Sequence, residues 1–185
     1  MAKSSAITGA QFIGVLIIGG LIGYWSARPS GNANQAATDA SSSAATSAAR
    51  GAELVTLGGC DDCHTPKHPD GSPDMSRRFA GYDNTAGVPE ARPGTITANM
   101  QLTAWHGPWG LSFSRNITPD KETGIGNWTF EQFKQTLVKG QDPSGHALMP
   151  PMPSQTLGQM PETDLRAIFN FLKTVPPIQN KVTGP

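Results

Sequence analysis

Two cysteines and a histidine lie within the five residues CDDCH, from Cys60 to His64. They are the only cysteines in the 185 residues of this chain. A structural zinc site needs four ligands, which usually come from two such pairs. Here there is no second pair, and adding His68 would crowd all four ligands into nine residues, a poor geometry for a tetrahedron. The motif is therefore poorly explained by zinc.

A redox-active dithiol is the second interpretation of this motif. Such a pair is expected after a β-strand and at the start of a helix, whereas here a helical pattern over residues 49–59 runs into Cys60. Asp61 and Asp62 stand between the cysteines, and two carboxylates would raise the thiol pKa values rather than lower them. The sequence thus disfavours thiolate chemistry.

The third interpretation is covalent attachment of haem, because Cys-x-x-Cys-His is the attachment pattern of haem c. The thiols of Cys60 and Cys63 would form thioethers with the haem, and His64 would present its Nε2 atom to the iron. The other ring nitrogen then needs a hydrogen-bond acceptor that fixes the ring. We therefore expect one haem c, with Asp61 and Asp62 as solvent-facing spacers.

The composition agrees with a domain whose core is partly filled by a cofactor. The chain has 21 glycines and 16 prolines, 37 of 185 residues, above the average of about 12%. A chain so rich in turn formers is expected to be loop-heavy, and a buried haem offers the loops a large apolar surface. The formal net charge is zero, which gives no indication of nucleic-acid binding.

The N-terminal segment 7–25 is apolar and contains no charged residue. Its length approaches the ~20 residues that cross a bilayer as a helix, and Tyr24 and Trp25 at its end suit a membrane interface. We expect residues 1–28 to be an uncleaved anchor, with a cleaved signal peptide as the alternative. The expected location is the bacterial inner membrane, single-pass, with the haem domain in the periplasm.

The rest of the chain divides by composition. Residues 29–48 are mainly small and polar and have no large apolar side chain, so we expect a flexible linker. Residues 49–185 are expected to form the folded domain. Within it, residues 66–115 are interpreted as an inserted loop region with a short helix near residues 95–105.

Helical signals frame this loop region. A helix is predicted over residues 49–59. A second begins at the capping box formed by Thr129 and Gln132 and ends near Gly140. A third begins near Pro161 with apolar residues at helical spacing. Because no alternating strand pattern of any length is present, we predict an all-α fold.

The second axial ligand is expected from the stretch HALMPPMPS, residues 146–154. Prolines flank both Met149 and Met152, and prolines stiffen a loop, so either thioether could be held at iron without a helix behind it. The residues alone leave Met149 and Met152 as equal alternatives. Histidine and methionine ligation raises the reduction potential and leaves no open position, which predicts electron transfer rather than oxygen chemistry.

Four stretches together resemble one family. They are CDDCHTP from residue 60, RNITPDKETGIGNWTFEQF at 115–133, GHALMPPMP at 145–153 and ETDLRAIFNFLKTVPP at 162–177. They are similar to class I c-type cytochromes, and most of all to the single-haem domains in cytochrome c subunits of membrane-bound alcohol, aldehyde and gluconate dehydrogenases. The resemblance covers about 49–178 and implies a cytochrome c-like fold with long loops around a covalently bound haem. Those subunits carry three haem units, whereas this chain has one motif.

The resemblance also implies roles for individual residues. The L-Y-P-A-M-P loop of the family aligns with residues 148–153, which makes Met152 the iron ligand and leaves Met149 as the runner-up. Ile117 and Pro119 would pack against the haem. The residues near its propionates would be Arg115, Asn116 and Trp128.

Two further contacts are implied by the same resemblance. The carbonyl group of Pro108 would accept a hydrogen bond from the ring of His64. The last helix would cross the first, with Gly51 allowing close approach and Phe169 or Phe171 at the contact.

The function expected from these features is electron transfer without enzymatic activity. We predict a membrane-anchored mono-haem cytochrome c that passes single electrons between membrane redox proteins: a dehydrogenase, a quinol-oxidising complex, a terminal oxidase or a reaction centre. Its other partner would be the lipid bilayer, with no nucleic acid and no small-molecule substrate. One alternative is a permanent cytochrome subunit of a larger respiratory, photosynthetic or dehydrogenase complex. The other is a haem enzyme or gas sensor with an open iron position.

Overall fold

The computed structural model describes residues 33–184. Helices and short strands follow one another along the chain in the order α1 (Ala33–Leu57), α2 (Cys60–His64), a 3-10 turn (Met75–Arg77), β1 (Thr97–Ala98), β2 (Ala104–Gly107), β3 (Gly110–Phe113), α3 (Phe130–Lys139), α4 (Ser154–Leu157) and α5 (Glu162–Leu172). The expected anchor, residues 7–25, lies outside the described residues. Within residues 33–184, no helix has the length and apolar character needed to cross a membrane.

The core forms where α1 packs across α5. Gly51 of α1 lies against the α5 backbone, because a Cβ atom there would be 2.0 Å from the carbonyl oxygen of Ala167 and 2.7 Å from the Cβ atom of Phe171. The close approach predicted at Gly51 is therefore present, with Phe171 at the contact. The largest apolar side chains of these two helices that are buried in the core are Leu54, Val55, Leu165, Ile168, Phe169 and Leu172.

Helix α3 begins and ends as predicted. The hydroxyl of Thr129 accepts a hydrogen bond from the backbone N–H of Gln132, and the Gln132 side chain accepts one from the backbone N–H of Thr129. This reciprocal pair satisfies two free donors at the helix start. Gly140 ends the helix in the left-handed conformation, with φ of 67°, which glycine adopts without steric cost.

The flexible linker expected over residues 29–48 is wrong from Ala33 onward, because α1 already begins there. Alanine, the strongest helix former, recurs throughout this segment. The end of the segment also contacts the folded domain, since the Asn170 side chain donates to the hydroxyl of Ser47 over 3.1 Å. A low content of large apolar residues thus did not prevent helix formation.

The short helix expected near residues 95–105 is also wrong. A three-stranded antiparallel sheet occupies this region, with β2 between β1 and β3. The turn between β1 and β2 is fixed by the side-chain carbonyl of Asn99, which accepts from the backbone N–H groups of Thr103 and Ala104. Leu102 in this turn is left-handed, with φ of 53°. The described fold is therefore helical with one small sheet added. The strands are too short to show an alternation of apolar and polar residues in the sequence.

The segment 66–115 contributes side chains to the core of the domain. Phe79 is completely buried in the core, and the ring of Tyr82 stacks on that of Phe113 with centroids 4.2 Å apart. Large aromatic side chains contribute strongly to a core. The segment therefore helps to build the region around His64.

Candidate haem-binding site

Helix α2 brings the two cysteines and the histidine into one helical turn. Gly59, left-handed with φ of 64°, separates α2 from α1 and redirects the chain. Cys60 is half-buried and packs against the core cluster. Both Cys60 and Cys63 are free thiols, so they do not form a disulfide.

The thiols are poorly suited to redox exchange. Burial, reinforced by the charge of Asp61, raises the pKa of Cys60 to about 11. Burial, reinforced by Asp62, also raises the pKa of Cys63. Both are therefore neutral thiols at neutral pH, whereas exchange needs the thiolate. Within residues 33–184, no group of three or more His, Cys, Asp or Glu side chains is arranged to hold a metal ion.

The ring of His64 is held in one orientation by a backbone carbonyl. Its Nδ1 atom lies 2.8 Å from the carbonyl oxygen of Arg115. Because a carbonyl can only accept, Nδ1 carries the hydrogen. Burial lowers the pKa of His64, so the ring is neutral and Nε2 keeps a lone pair. This is the arrangement of a histidine that ligates a metal.

The predicted acceptor for this ring, Pro108, is wrong. Pro108 lies in the exposed turn between β2 and β3. The chain reaches His64 only after β3 has returned from that turn, so that Arg115 supplies the carbonyl. The guanidinium group of Arg115 donates to the carbonyl oxygens of Val182 and Gly184, 3.0 and 3.1 Å away, which links this residue to the C-terminal tail.

Hydrogen bonds tie the end of α2 to residues 79–81, and these in turn to Ile117. The N–H of Gly81 donates to the carbonyl of His64 over 2.8 Å. The N–H of Phe79 donates to the hydroxyl of Thr65, and its carbonyl accepts from the N–H of Ile117. Phe79 has a φ of 64°, unusual for a bulky residue, and these two bonds hold it there.

The methionine loop, residues 146–153, runs between α3 and α4. Met152 is half-buried and packs against the core cluster, as does Leu148. Met149 is also half-buried. The loop backbone is attached through the N–H of Leu148, which donates to the carbonyl of Gly140 over 2.7 Å, and through the carbonyl of Pro150, which accepts from the hydroxyl of Ser112 over 2.6 Å.

The residues expected around the haem fall into two groups. Ile117 and Trp128 are half-buried and pack against the core, and Pro119 is half-buried. In contrast, the buried side chain of Asn116 bonds to the protein itself, donating to Ile178 and accepting from Thr118. The propionate contacts expected of Arg115, Asn116 and Trp128 stay predictions.

The expectation that Asp61 is a solvent-facing spacer is wrong. Its carboxylate accepts from Nε and Nη2 of Arg78 over 2.9 and 2.7 Å and from the hydroxyl of Thr65 over 2.9 Å. These hydrogen bonds, with that of Arg78 foremost, lower the pKa of Asp61 against the effect of burial. The first spacer position thus fixes α2, whereas Asp62 is exposed as expected.

Several known proteins are similar to this chain in sequence. Alcohol dehydrogenase (quinone) of Gluconobacter oxydans has a cytochrome c subunit that is 33% identical over 135 residues, covering 71% of this chain and 23% of that subunit. The gluconate 2-dehydrogenase cytochrome c subunit of Pantoea cypripedii is 33% identical over 131 residues, covering 70% and 23%. This chain contains a c-type cytochrome domain. It spans about a quarter of the length of these two relatives.

A third relative of this cytochrome domain is the diheme cytochrome c-type of Cereibacter sphaeroides, 26% identical over 165 residues, covering 89% of this chain and 47% of that protein. No protein-family model matches the chain.

The residues of the cytochrome domain fit the covalently bound haem c that such domains carry. The donor set is complete, with two neutral thiols in α2 and a histidine whose Nδ1 is already engaged. Several apolar side chains that are only partly buried pack against the same core cluster as Cys60. They include Ile117, Trp128, Leu148, Met152 and Met160.

Residue types alone could not reveal some of the groups that shape this site. The carbonyl of Arg115 carries no sequence signal, because every residue has one. The hydroxyl of Ser112, which donates to the carbonyl of Pro150, sits in a strand too short to be recognised. The tail residue Asn180 donates to two carbonyl groups of the segment before β1. An asparagine near the end of a chain gives no indication in the sequence of such a contact.

Proposed function

We propose that this cytochrome domain transfers single electrons through one covalently bound haem. The observation that carries the proposal is the hydrogen bond from Nδ1 of His64 to the carbonyl of Arg115. It fixes the ring and leaves Nε2 to bind iron, and the same short helix carries two free thiols. The single Cys-x-x-Cys-His motif in the sequence supports one haem per chain.

The second iron ligand in this proposal is Met152. Its packing against the core and its alignment with the methionine of the resembling family both support this choice, and Met149 is the competing residue. Bound haem iron supplies reversible one-electron exchange, with a potential that a methionine ligand raises. Two protein ligands leave no open position, so we propose an electron carrier rather than a haem enzyme or gas sensor.

The ligand assignment is tested with Met152→Ala and the matched variant Met149→Ala in the full chain. We expect Met152→Ala to let the ferrous protein bind carbon monoxide and to lower the reduction potential. We expect Met149→Ala to behave as the wild type in both measurements. The reverse pattern would transfer the role to Met149, and carbon monoxide binding by the wild type would favour an open iron position.

The attachment is tested with Cys60→Ala and Cys63→Ala, separately and together. Haem that stays on the chain through denaturing electrophoresis is covalently bound. We expect either single variant to retain one thioether and the double variant to lose the haem entirely on denaturation. Haem quantified per wild-type chain should give a ratio of one, and a ratio of two would refute the single-haem proposal.

The partner we propose is a membrane redox complex. The relatives named above are cytochrome subunits of an alcohol and a gluconate dehydrogenase, and this supports a permanent place in a dehydrogenase complex as an alternative to a free carrier. Gentle detergent extraction followed by identification of co-purifying chains separates the two. A stoichiometric dehydrogenase subunit would indicate a fixed subunit. Isolation of the cytochrome alone, still able to exchange electrons with several membrane complexes, would indicate a carrier.

We also propose that residues 7–25 anchor the domain to the inner membrane and leave it in the periplasm. The support is the uncharged apolar run itself and the need to attach haem c outside the cytoplasm. The test is protease treatment of spheroplasts together with alkaline extraction of membranes. Digestion of the domain from outside and retention in the extracted membrane are expected. Release into the soluble fraction would instead indicate a cleaved signal.

A further inference from the structure

Ser112 of β3 links the hairpin to the methionine loop. Its hydroxyl donates to the carbonyl oxygen of Pro150, 2.6 Å away, and accepts from Nε1 of Trp109 over 3.3 Å. Ser112 is only 4% exposed, although its partners Trp109 and Pro150 are more open to solvent. Losing these bonds is costly on the side of Ser112, because its buried hydroxyl would be left unsatisfied. A directed relay thus runs from the indole through the hydroxyl to the loop between Met149 and Met152.

The same segment of chain reaches the histidine side of the site. Three residues after Ser112, the carbonyl of Arg115 accepts from Nδ1 of His64 over 2.8 Å. Between them, the N–H of Ser114 donates to the carbonyl of Thr103 over 2.9 Å, which attaches the segment to the sheet. One short segment, residues 112–115, therefore contacts both the ring of His64 and the loop that carries the two methionines.

The methionine loop needs such a contact, because no helix stands behind it before Ser154. On its N-terminal side it is attached by the Leu148 N–H to the carbonyl of Gly140. The bond from Ser112 lies nearer to Met152, at the carbonyl of Pro150. The position of the thioether therefore depends on how firmly this part of the loop backbone is held.

We propose that Ser112, supported by Trp109, is a positioning residue that holds the methionine loop where it would meet the haem, so that segment 112–115 would orient both the histidine and the methionine that bind the iron. The inference rests on the proposed function, in which Met152 is a ligand. Ser112 itself touches neither the iron nor a substrate. It acts by limiting the movement of the Pro150 carbonyl, and with it the fraction of molecules in which the methionine has left the iron.

The test compares four variants of the full chain with its haem attached: Ser112→Ala, Ser112→Thr, Ser114→Ala and Met152→Ala. Ser112→Thr keeps a hydroxyl, and Ser114 is a buried serine on the same segment whose backbone bonds to Thr103. The two readouts are the carbon monoxide binding of the ferrous protein and the reduction potential. A change of protein stability alone would move neither.

The expected result is that Ser112→Ala raises the fraction that binds carbon monoxide roughly three- to ten-fold, as loss of one hydrogen bond implies, and lowers the potential. Ser112→Thr and Ser114→Ala should resemble the wild type. Should Ser112→Ala fail to fold, Trp109→Phe takes its place. It removes only the indole N–H that donates to the Ser112 hydroxyl, and it is expected to change both readouts in the same direction to a smaller extent.

The results that would contradict the proposal can be told apart, because each refutes a different part of it. If Met152→Ala changes both readouts and Ser112→Ala or, in its place, Trp109→Phe changes neither, the ligand assignment stands and the positioning role is refuted. If Ser112→Thr behaves like Ser112→Ala, the effect is steric and the hydrogen-bond relay is refuted. If Met152→Ala changes nothing, the assignment of Met152 has failed, and the role of Ser112 fails with it.

Discussion

Gly51 and Ala167 meet with no room for a side chain between them. A Cβ atom at Gly51 would lie 2.0 Å from the carbonyl oxygen of Ala167 and 2.7 Å from the Cβ atom of Phe171. The contact brings the backbones of α1 and α5 together nine residues before Cys60. Because α1 is followed by Gly58, Gly59 and α2, this contact helps to set the position of Cys60 and His64.

The first prediction concerns this contact. Gly51→Ala would force the two helices apart, and overpacking of this kind costs about 1–3 kcal/mol. Chemical denaturation of the haem-loaded protein, followed by circular dichroism, should show this loss. Gly87→Ala is the control, since a Cβ atom there meets nothing within 4 Å, and it should leave the stability unchanged. Equal stability of the two variants would contradict the packing described.

The C-terminal tail gives the second prediction. Nδ2 of Asn180 donates to the carbonyl oxygens of Ala80 and Tyr82, 2.7 and 2.9 Å away, so Asn180→Ala leaves two buried carbonyl groups without this donor. We expect a loss of about 1–3 kcal/mol in the free energy of unfolding. Gln179→Ala alters the neighbouring exposed residue and serves as the control. A loss of the same size there would show that the tail is not held specifically by Asn180.

The third prediction concerns Arg78, which binds the carboxylate of Asp61 through two nitrogens and lies over the ring of Phe79 at 4.5 Å from its centroid. Bonds of a charged donor in a partly buried place contribute about 1.5–3 kcal/mol. Arg78→Met should lower the free energy of unfolding by that order, as measured by denaturant titration. Arg92→Met is the matched control, because Arg92 and its partner Glu90 are exposed and such pairs contribute little. If both substitutions lower the free energy of unfolding by the same amount, the ion pair of Arg78 with Asp61 does not fix α2.

The fourth prediction concerns pH. The pKa of Asp83 is lowered by hydrogen bonds from the backbone and hydroxyl of Thr85 and by Arg77. A carboxylate with a lowered pKa stabilises the folded state above its unfolded pKa of about 3.9, and this contribution is lost as the pH falls through the folded value. Wild type should therefore be more stable than Asp83→Asn at pH 7, and the difference should shrink on acidification below about pH 4.

The measurement for this fourth prediction is the free energy of unfolding of both proteins at several pH values. Glu90→Gln is the control, because Glu90 is exposed and its ion pair with Arg92 is open to solvent. Its difference from the wild type should be small at every pH. A difference between wild type and Asp83→Asn that grows on acidification would have the wrong sign and would contradict the prediction.

Local signals in the sequence were reliable where neighbouring residues decide the structure. The capping box of Thr129 and Gln132 and the glycine stop at Gly140 depend on residues a few positions apart, and all are present. The same signals failed over residues 33–48 and 95–105. In the first case tertiary contacts and alanine propensity favour a helix, and in the second the strands are two to four residues long.

By itself the sequence determined the chemistry that we propose for the site. The motif from Cys60 to His64 is the basis for the proposed attachment of haem, and a single pair of cysteines argues against the common zinc arrangement, because both inferences depend on residue types at fixed spacing. Only the tertiary structure decided which groups orient the site. The carbonyl of Arg115 and the hydroxyl of Ser112 come from a segment some 50 residues distant from His64 in the chain. Backbone carbonyls are identical in every residue, so only the path of the folded chain selects among them.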